Sequence, residues 1–323
     1  MPYSYSFIKG KKRYLTIKYL FVYYLQHNIL IYRIFDMKTQ LTDKELISLN
    51  HNGFIPGPEE DTAVFLARVA RSTEASTFDD EAIPSSHYKK AFETTQSLFD
   101  HSPSWMSGFY SNESLAPWHG ATTWIATDEE GITTSFIQLR KAFQHSERFL
   151  GIYHRDEILA HEAVHLGRSA FSGSSYEEIF AYMTSSSLLR RFLGPIASSL
   201  WSIILFFAVI FAILGIDIYL LATGNFATYE TMMWAKLLPI TMIASAIGRL
   251  FFLRRRLKRC VATLKKIITD PTKALAVAYR LTDDEIAAFA KNSPDEATTY
   301  SRDQRSLRWK MINVNYLQNK EEI

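Results

Sequence analysis

The chain has 323 residues and a formal net charge of +3, enough length for one or two domains and too little charge for a nucleic-acid binder. Its single cysteine, Cys260, excludes an intrachain disulfide and any thiolate-rich zinc site. The hydrophobic fraction of 47% is ordinary, but apolar residues concentrate in one stretch of the second half.

Residues 14–35 are aromatic and apolar and follow Lys11, Lys12 and Arg13. Lys18, Gln26, His27, Asn28 and Arg33 interrupt them, and no small-residue cleavage site follows, which argues against a signal peptide. The reading adopted is that translation begins at Met37 and that residues 1–36 are a doubtful extension. From Met37 the pattern is that of folded protein. Thr42-Asp43-Lys44-Glu45 has the capping-box form that opens a helix. The Pro- and Gly-containing segment 54–58 predicts a turn, 59–71 an amphipathic helix and 85–99 a further helix. Residues 102–120, rich in Pro, Gly, Ser and Trp, predict an irregular loop region. Segments 121–127 and 132–139 are β-branched and aromatic and flank Asp128-Glu129-Glu130-Gly131, which predicts a hairpin. Helical periodicity returns at Arg155.

Two apolar runs follow, 197–222 and 232–253. Each exceeds the roughly 20 residues that cross about 30 Å of hydrocarbon as a helix. Backbone in a bilayer must pair internally, so both are expected to be helical, forming a transmembrane hairpin. Arg190 and Arg191 precede the pair, and Arg254, Arg255, Arg256, Lys258 and Arg259 follow it, whereas the connector 223–231 carries no Lys or Arg. That asymmetry puts both flanks in the cytoplasm. Asp217 and Lys236 are expected to reach the outer interface and Arg249 to snorkel toward the inner one. Beyond lies a basic amphipathic helix, 254–268, ended by Asp270-Pro271. Thr282 with Glu285, and Ser293 with Glu296, mark two further helix starts.

The chemistry sits in 155–168, RDEILAHEAVHLGR, which contains His161-Glu162-Ala163-Val164-His165. On a helix, residues i and i+4 share a face, so both imidazoles can converge on one ion. Glu162, rotated by about 100° from His161, can address a metal-bound water as general base. The apolar flanks Ile158, Leu159, Ala160, Ala163, Val164 and Leu166 predict a buried helix, with Gly167 at its end. A catalytic zinc site needs a third protein ligand and an open position. The next donors are Glu177 and Glu178, which open a helix after the 172–175 turn. If Ser174 caps that helix, Glu177 closes a capping box and Glu178 is free to face the metal; if Ser175 caps, the roles reverse.

This pattern resembles the gluzincin metallopeptidases, the thermolysin-like broad group. Several of those families place Ala three residues after the ligand Glu, a form that Glu178-Ile179-Phe180-Ala181 fits and Glu177 does not. With the membrane hairpin, the chain looks like the membrane-bound heat-shock metallopeptidases and the related CAAX-processing proteases. The likeness covers about residues 155–185. It departs in a short gap between His165 and Glu178, in Tyr182 where those families usually have Asp, and in a hairpin that follows the glutamate helix. The resemblance implies zinc held by His161, His165 and Glu178, with Glu162 as base. By the same analogy, strand 132–139 lies along the cleft and pairs with substrate. Tyr153, His154, Arg168, Tyr176 and Tyr182 are candidates to donate to a developing oxyanion, and Asp156 and Glu157 to orient the ligand imidazoles.

The expected fold is mostly α, mixed α+β: a zincin-like catalytic domain over 37–192, a transmembrane helical hairpin over 193–253 and a basic helical cytoplasmic region over 254–323. The expected activity is a membrane-anchored, Zn2+-dependent endopeptidase acting on protein or peptide. It would sit in the bilayer of a bacterial plasma (inner) membrane, with the catalytic domain and both termini cytoplasmic and no nucleic-acid partner. Two alternatives remain open: a non-catalytic membrane scaffold with a structural or degenerate metal site, closed by a fourth ligand such as His154, and a transport protein with Asp217 and Arg249 on a pathway.

Overall fold

The computed structural model describes residues 40–74, 81–127, 131–171, 173–197 and 200–317. The expectation for residues 1–36 lies outside the described residues. Helix α1 (Asp43–His51) starts where expected, its Thr42 and Glu45 closing a capping box. Helix α2 (Thr62–Glu74) starts later than residue 59, because the Asp61 carboxylate accepts from the Val64 amide at 2.9 Å and caps it there. Glu60 is instead committed to the buried Arg68, at 2.8 Å. Helix α3 (Lys89–Phe99) follows a 3-10 turn over Ser85–Tyr88 and ends on the left-handed Asp100.

The segment 102–120 is not wholly irregular. It contributes strand β1 (Gly108–Tyr110), which pairs in parallel with β3 (Thr133–Leu139). Strand β2 (Ala121–Thr127) pairs antiparallel with β3 from Ala121 opposite Leu139 to Thr127 opposite Thr133, the expected hairpin. The order β1-β3-β2 puts β3 in the centre with both edges paired. Strand β3 is therefore paired on both sides only over Ile137–Leu139, where β1 lies against it, and the outer edge of the hairpin is β2.

A short helix α4 (Ala142–His145) and a two-residue ribbon, β4 (Arg148–Phe149) with β5 (Tyr153–His154), lead into α5 (Arg155–Gly167). Helix α6 (Glu177–Tyr182) and helix α7 (Leu188–Leu193) precede the long α8 (Leu200–Ala222). The connector is itself helical as α9 (Phe226–Met232). Next comes α10 (Leu237–Leu264), followed by α11 (Ala274–Tyr279), α12 (Asp283–Phe289), α13 (Pro294–Asp303) and α14 (Leu307–Ile312). Both later capping boxes form, Thr282 with Glu285 and Ser293 with Glu296.

Among the described residues, two helices are long and apolar enough to cross a membrane, Ser202–Ala222 and the run Phe226–Leu264 that contains α10. At about 1.5 Å per residue, α8 spans about 34 Å, the thickness of a hydrocarbon core with little to spare. Lys236 and Asp217 lie next to each other. They pair with each other at 2.9 Å, and Lys236 also reaches the Tyr229 hydroxyl at 3.2 Å. Arg249 turns to Ser175 Oγ at 3.3 Å. Asp217 and Arg249 thus have different partners.

The expected boundary at 253/254 does not exist as a break. The chain runs through it as one helix because nothing in 237–264 after Pro239 interrupts the periodicity. Leu250, Leu253, Leu257, Cys260 and Leu264 recur every three or four residues and are all buried. They join Val164, Ile179, Phe180, Tyr279, Phe289 and Trp309 in one core. A second core gathers Leu46, Phe65, Ile137, Leu139, Leu159, Ala163 and Leu166. Residues beyond 253 are therefore part of the body that holds α5, not a separate region, and α5 lies between the two cores.

The C-terminal part is locked by a buried ion pair. Arg308 donates to both carboxylate oxygens of Glu285 at 2.9 Å, and Trp309 Nε1 adds a third bond at 2.7 Å. Burial alone would raise the Glu285 pKa, but the Arg308 fork and charge turn the net shift downward. A depressed folded pKa contributes stability that is present above the unfolded value of about 4.3 and fades as pH falls through the folded value. Glu285→Gln is expected to destabilise by about 3–5 kcal/mol near neutral pH, and by progressively less in acid. Thermal unfolding in detergent across that pH range measures both.

Candidate metal centre

Helix α5 carries His161 and His165 on one face, and α6 packs against it. His161 Nε2 and His165 Nε2 stand 3.2 Å apart. Glu178 approaches both, with Oε2 at 3.6 Å from His161 Nε2 and Oε1 at 3.7 Å from His165 Nε2. Donors held at about 2.0–2.1 Å by a tetrahedral ion lie about 3.3–3.4 Å from one another. The ligand atoms of the three groups all lie within 4.8 Å of one another, and their two nitrogens and one carboxylate are a donor set that could hold a metal ion. They are the one such His, Cys, Asp and Glu group found among the described residues. His154 is not part of it.

Glu177 faces the same helix but does a different thing. Its Oε1 lies 3.1 Å from His165 Nδ1. A proton on Nδ1 donated to that carboxylate leaves the Nε2 lone pair free to bind a cation. The His161 ring hydrogen-bonds the backbone of Ala181. The expected orienting residues are occupied elsewhere. Asp156 pairs with Lys90 at 3.0 Å, and Glu157 pairs with Arg190 and accepts from Ser186 at 3.1 Å. Neither serine caps α6. Its N-cap is Tyr176, with no side-chain cap bond, so no capping box competes for Glu177.

The loop before α6 is positioned from the far end of the chain. Asp283 accepts from Ser174 Oγ and from the Ser175 amide, each at 2.7 Å. Arg168, fully buried, donates to Ser174 Oγ and to the carbonyls of Tyr279 and Leu281. Tyr279 donates to the Val164 carbonyl at 2.6 Å. Gly167 is helical and does not form a left-handed terminus. It is required for closeness, since a Cβ there would stand 2.5 Å from the Tyr279 oxygen.

Glu162 lies beside the cluster and is buried. Thr123 of β2 donates to its Oε2 at 2.7 Å, and the Thr123 backbone faces the same carboxylate. Burial raises the Glu162 pKa, with His165 and Thr123 opposing. Burial likewise raises Glu178 and lowers His161 well below its ordinary value, the His161 shift reinforced by neighbouring His165. For His165, burial acts downward. The Glu177 bond and the charges of Glu178, Glu177 and Glu162 prevail and push it up to about 10. Three carboxylates around two imidazoles thus favour a positive charge at this point, as a proton or as a dication.

Of the candidates to donate to an oxyanion, the structure brings Tyr182 to the cluster, its ring edge-on to His161 at 4.7 Å between centroids. Burial and the nearby Glu178 raise its pKa to about 12, so the hydroxyl stays protonated and able to donate. Gly194 makes room for it, since a Cβ there would overlap the Tyr182 ring. Arg168 is committed to the chain beyond Tyr279, Tyr176 packs in the core, and Tyr153 stacks on Phe149. Thr123 and the orienting role of Glu177 escape a reading of the sequence alone.

If α6 is aimed from Asp283, then Asp283→Ala is expected to weaken metal affinity although it touches no donor. Glu177→Gln is expected to weaken it about 10- to 100-fold through His165, and Glu178→Ala to weaken it further still. Titration of each variant with zinc against a competing chelator ranks them.

Comparison with known protein families, curated proteins and solved structures finds no match for this chain.

Proposed function

We propose that the chain is a membrane-anchored zinc metallopeptidase with a zincin-like site. The observation that carries this reading is the convergence of His161, His165 and Glu178 within 4.8 Å of one another, with the Glu162 carboxylate next to them. Three donors leave a fourth tetrahedral position for water or substrate, which favours a catalytic over a structural site. When bound there, zinc supplies Lewis acidity to a peptide carbonyl and acidifies a bound water.

The chain's own residues supply the rest. Glu162 accepts the proton of the attacking water and later returns it to the departing amine. Thr123 holds that carboxylate in place by its 2.7 Å bond. The Tyr182 hydroxyl is a donor for the developing oxyanion. Edge strand β2, which carries Thr123, is the strand along which an extended peptide can pair. The hairpin of α8 and α10 anchors this domain in the bilayer, and the basic flanks put the domain and the C-terminus on the cytoplasmic side.

Glu162→Gln is expected to retain stoichiometric zinc and to lose about a hundredfold to ten-thousandfold in kcat on a peptide substrate. His161→Ala is expected to lose both metal and activity. Metal analysis beside peptide cleavage decides. Wild-type protein purified without zinc, or Glu162→Gln protein that still cleaves, would end the hydrolytic reading.

A further inference from the structure

The cytoplasmic end of α10 carries a second site. Phe251, Arg255 and Arg259 recur every four residues along one row of the helix, and Phe252 and Arg256 along the next. The first row lies away from the core row of Leu253, Leu257 and Cys260, and the second borders it, with half-buried Arg256 near Tyr176. Lys291, just beyond α12, closes the far wall of a pocket of about 410 Å³ lined by these residues. The pocket is charged and apolar at once. Phe251 and Phe252 are 66% and 54% exposed, and the Arg256 guanidinium lies over the Phe252 ring at 4.5 Å. Among the described residues, no carboxylate pairs with Arg255, Arg256, Arg259 or Lys291. Four cations converging from two elements without a counter-ion call for an anion.

Its position says which anion. The apolar part of α10 ends at Leu253, so the two phenylalanines occupy the last turn within hydrocarbon depth. From Arg255 to Arg259 the helix rises about 6 Å, comparable to a headgroup layer of roughly 5–8 Å per leaflet. Helix α7, on the same side of the hairpin, presents exposed Leu188, Leu189, Phe192 and Leu193 beside Arg190 and Arg191, a composition suited to lying in that layer.

We infer that this pocket binds the headgroup of an anionic phospholipid, with Arg255, Arg256, Arg259 and Lys291 on the phosphate and Phe251 and Phe252 against the proximal acyl carbons. Guanidinium forks match phosphate oxygens in pairs. The occupant is a membrane lipid and not a free anion, because the exposed Phe251 and Phe252 line the same pocket and belong to the apolar part of α10. The inference rests on the membrane-spanning reading of the hairpin and is independent of the hydrolytic one.

The test is native mass spectrometry of the full chain in dodecyl maltoside, titrated with phosphatidylglycerol or phosphatidylcholine. Wild type is expected to bind the anionic lipid about tenfold or more tightly. The triple variant Arg255→Gln, Arg259→Gln, Lys291→Gln is expected to bring that ratio near one, and Lys291→Gln alone to lower it in part. A control with the same loss of charge elsewhere, Lys44→Gln, Lys89→Gln, Arg302→Gln, is expected to keep it. Carbonate extraction and melting temperature in phosphatidylcholine are expected to match wild type for the triple variant, separating lipid preference from insertion and folding. The inference is overturned if the triple variant keeps the preference, or if the control loses it equally. It is overturned as well if millimolar inorganic phosphate displaces the lipid.

Discussion

The packing of α6 on α5 puts the carboxylates of Glu177 and Glu178 against the imidazoles of His161 and His165, next to the buried Glu162. Taking so many ionisable groups out of water is costly unless each finds a partner. The contact solves this with a division of labour. Glu177 takes the outer nitrogen of His165, Thr123 takes Glu162, and the inward nitrogens and Glu178 are left facing one point. A cation at that point satisfies all three at once. The rest of the molecule serves to hold two short helical surfaces in this opposition.

That holding is done largely by the C-terminal segment. Asp283 clamps the turn into α6, Arg168 ties the end of α5 to Tyr279 and Leu281, and Tyr279 reaches back to Val164. Each of these bonds spans more than a hundred residues of chain. The Glu285–Arg308–Trp309 network makes the segment rigid enough to act as a clamp. A site depending on donor spacing to within a few tenths of an ångström needs such backing.

The membrane elements enter the same body. Helix α10 carries its buried row of Leu253, Leu257, Cys260 and Leu264 from the apolar span into the core shared with α6. Arg249 touches Ser175 in the turn before the two glutamates, and Arg190 of α7 pairs with Glu157 of α5. The site is therefore fixed in height and orientation relative to the hairpin instead of hanging from a flexible linker.

Local signals were legible in the sequence because the patterns behind them lie within one element or across one short turn. The three capping boxes, the hairpin at 121–127, the start of the HExxH helix at Arg155 and the length of the apolar spans are all of this kind. The convergence of His161 and His165 follows from helix geometry alone. Pairings across long separations were not legible. Strand β1 hides in a Pro- and Gly-rich stretch because its partner lies about thirty residues away, and β3 becomes central only once β1 pairs with it. The bonds from Asp283 to Ser174 and Ser175, which hold the turn before the two glutamates, are contacts that no local pattern encodes. The sequence by itself determined which residues can bind a metal and which helices can cross a bilayer, because both are properties of one element. Only the tertiary structure decided that Glu177 takes the outer nitrogen of His165, what steadies Glu162, and that the C-terminal helices belong to the same core, because these depend on where separate elements come to rest.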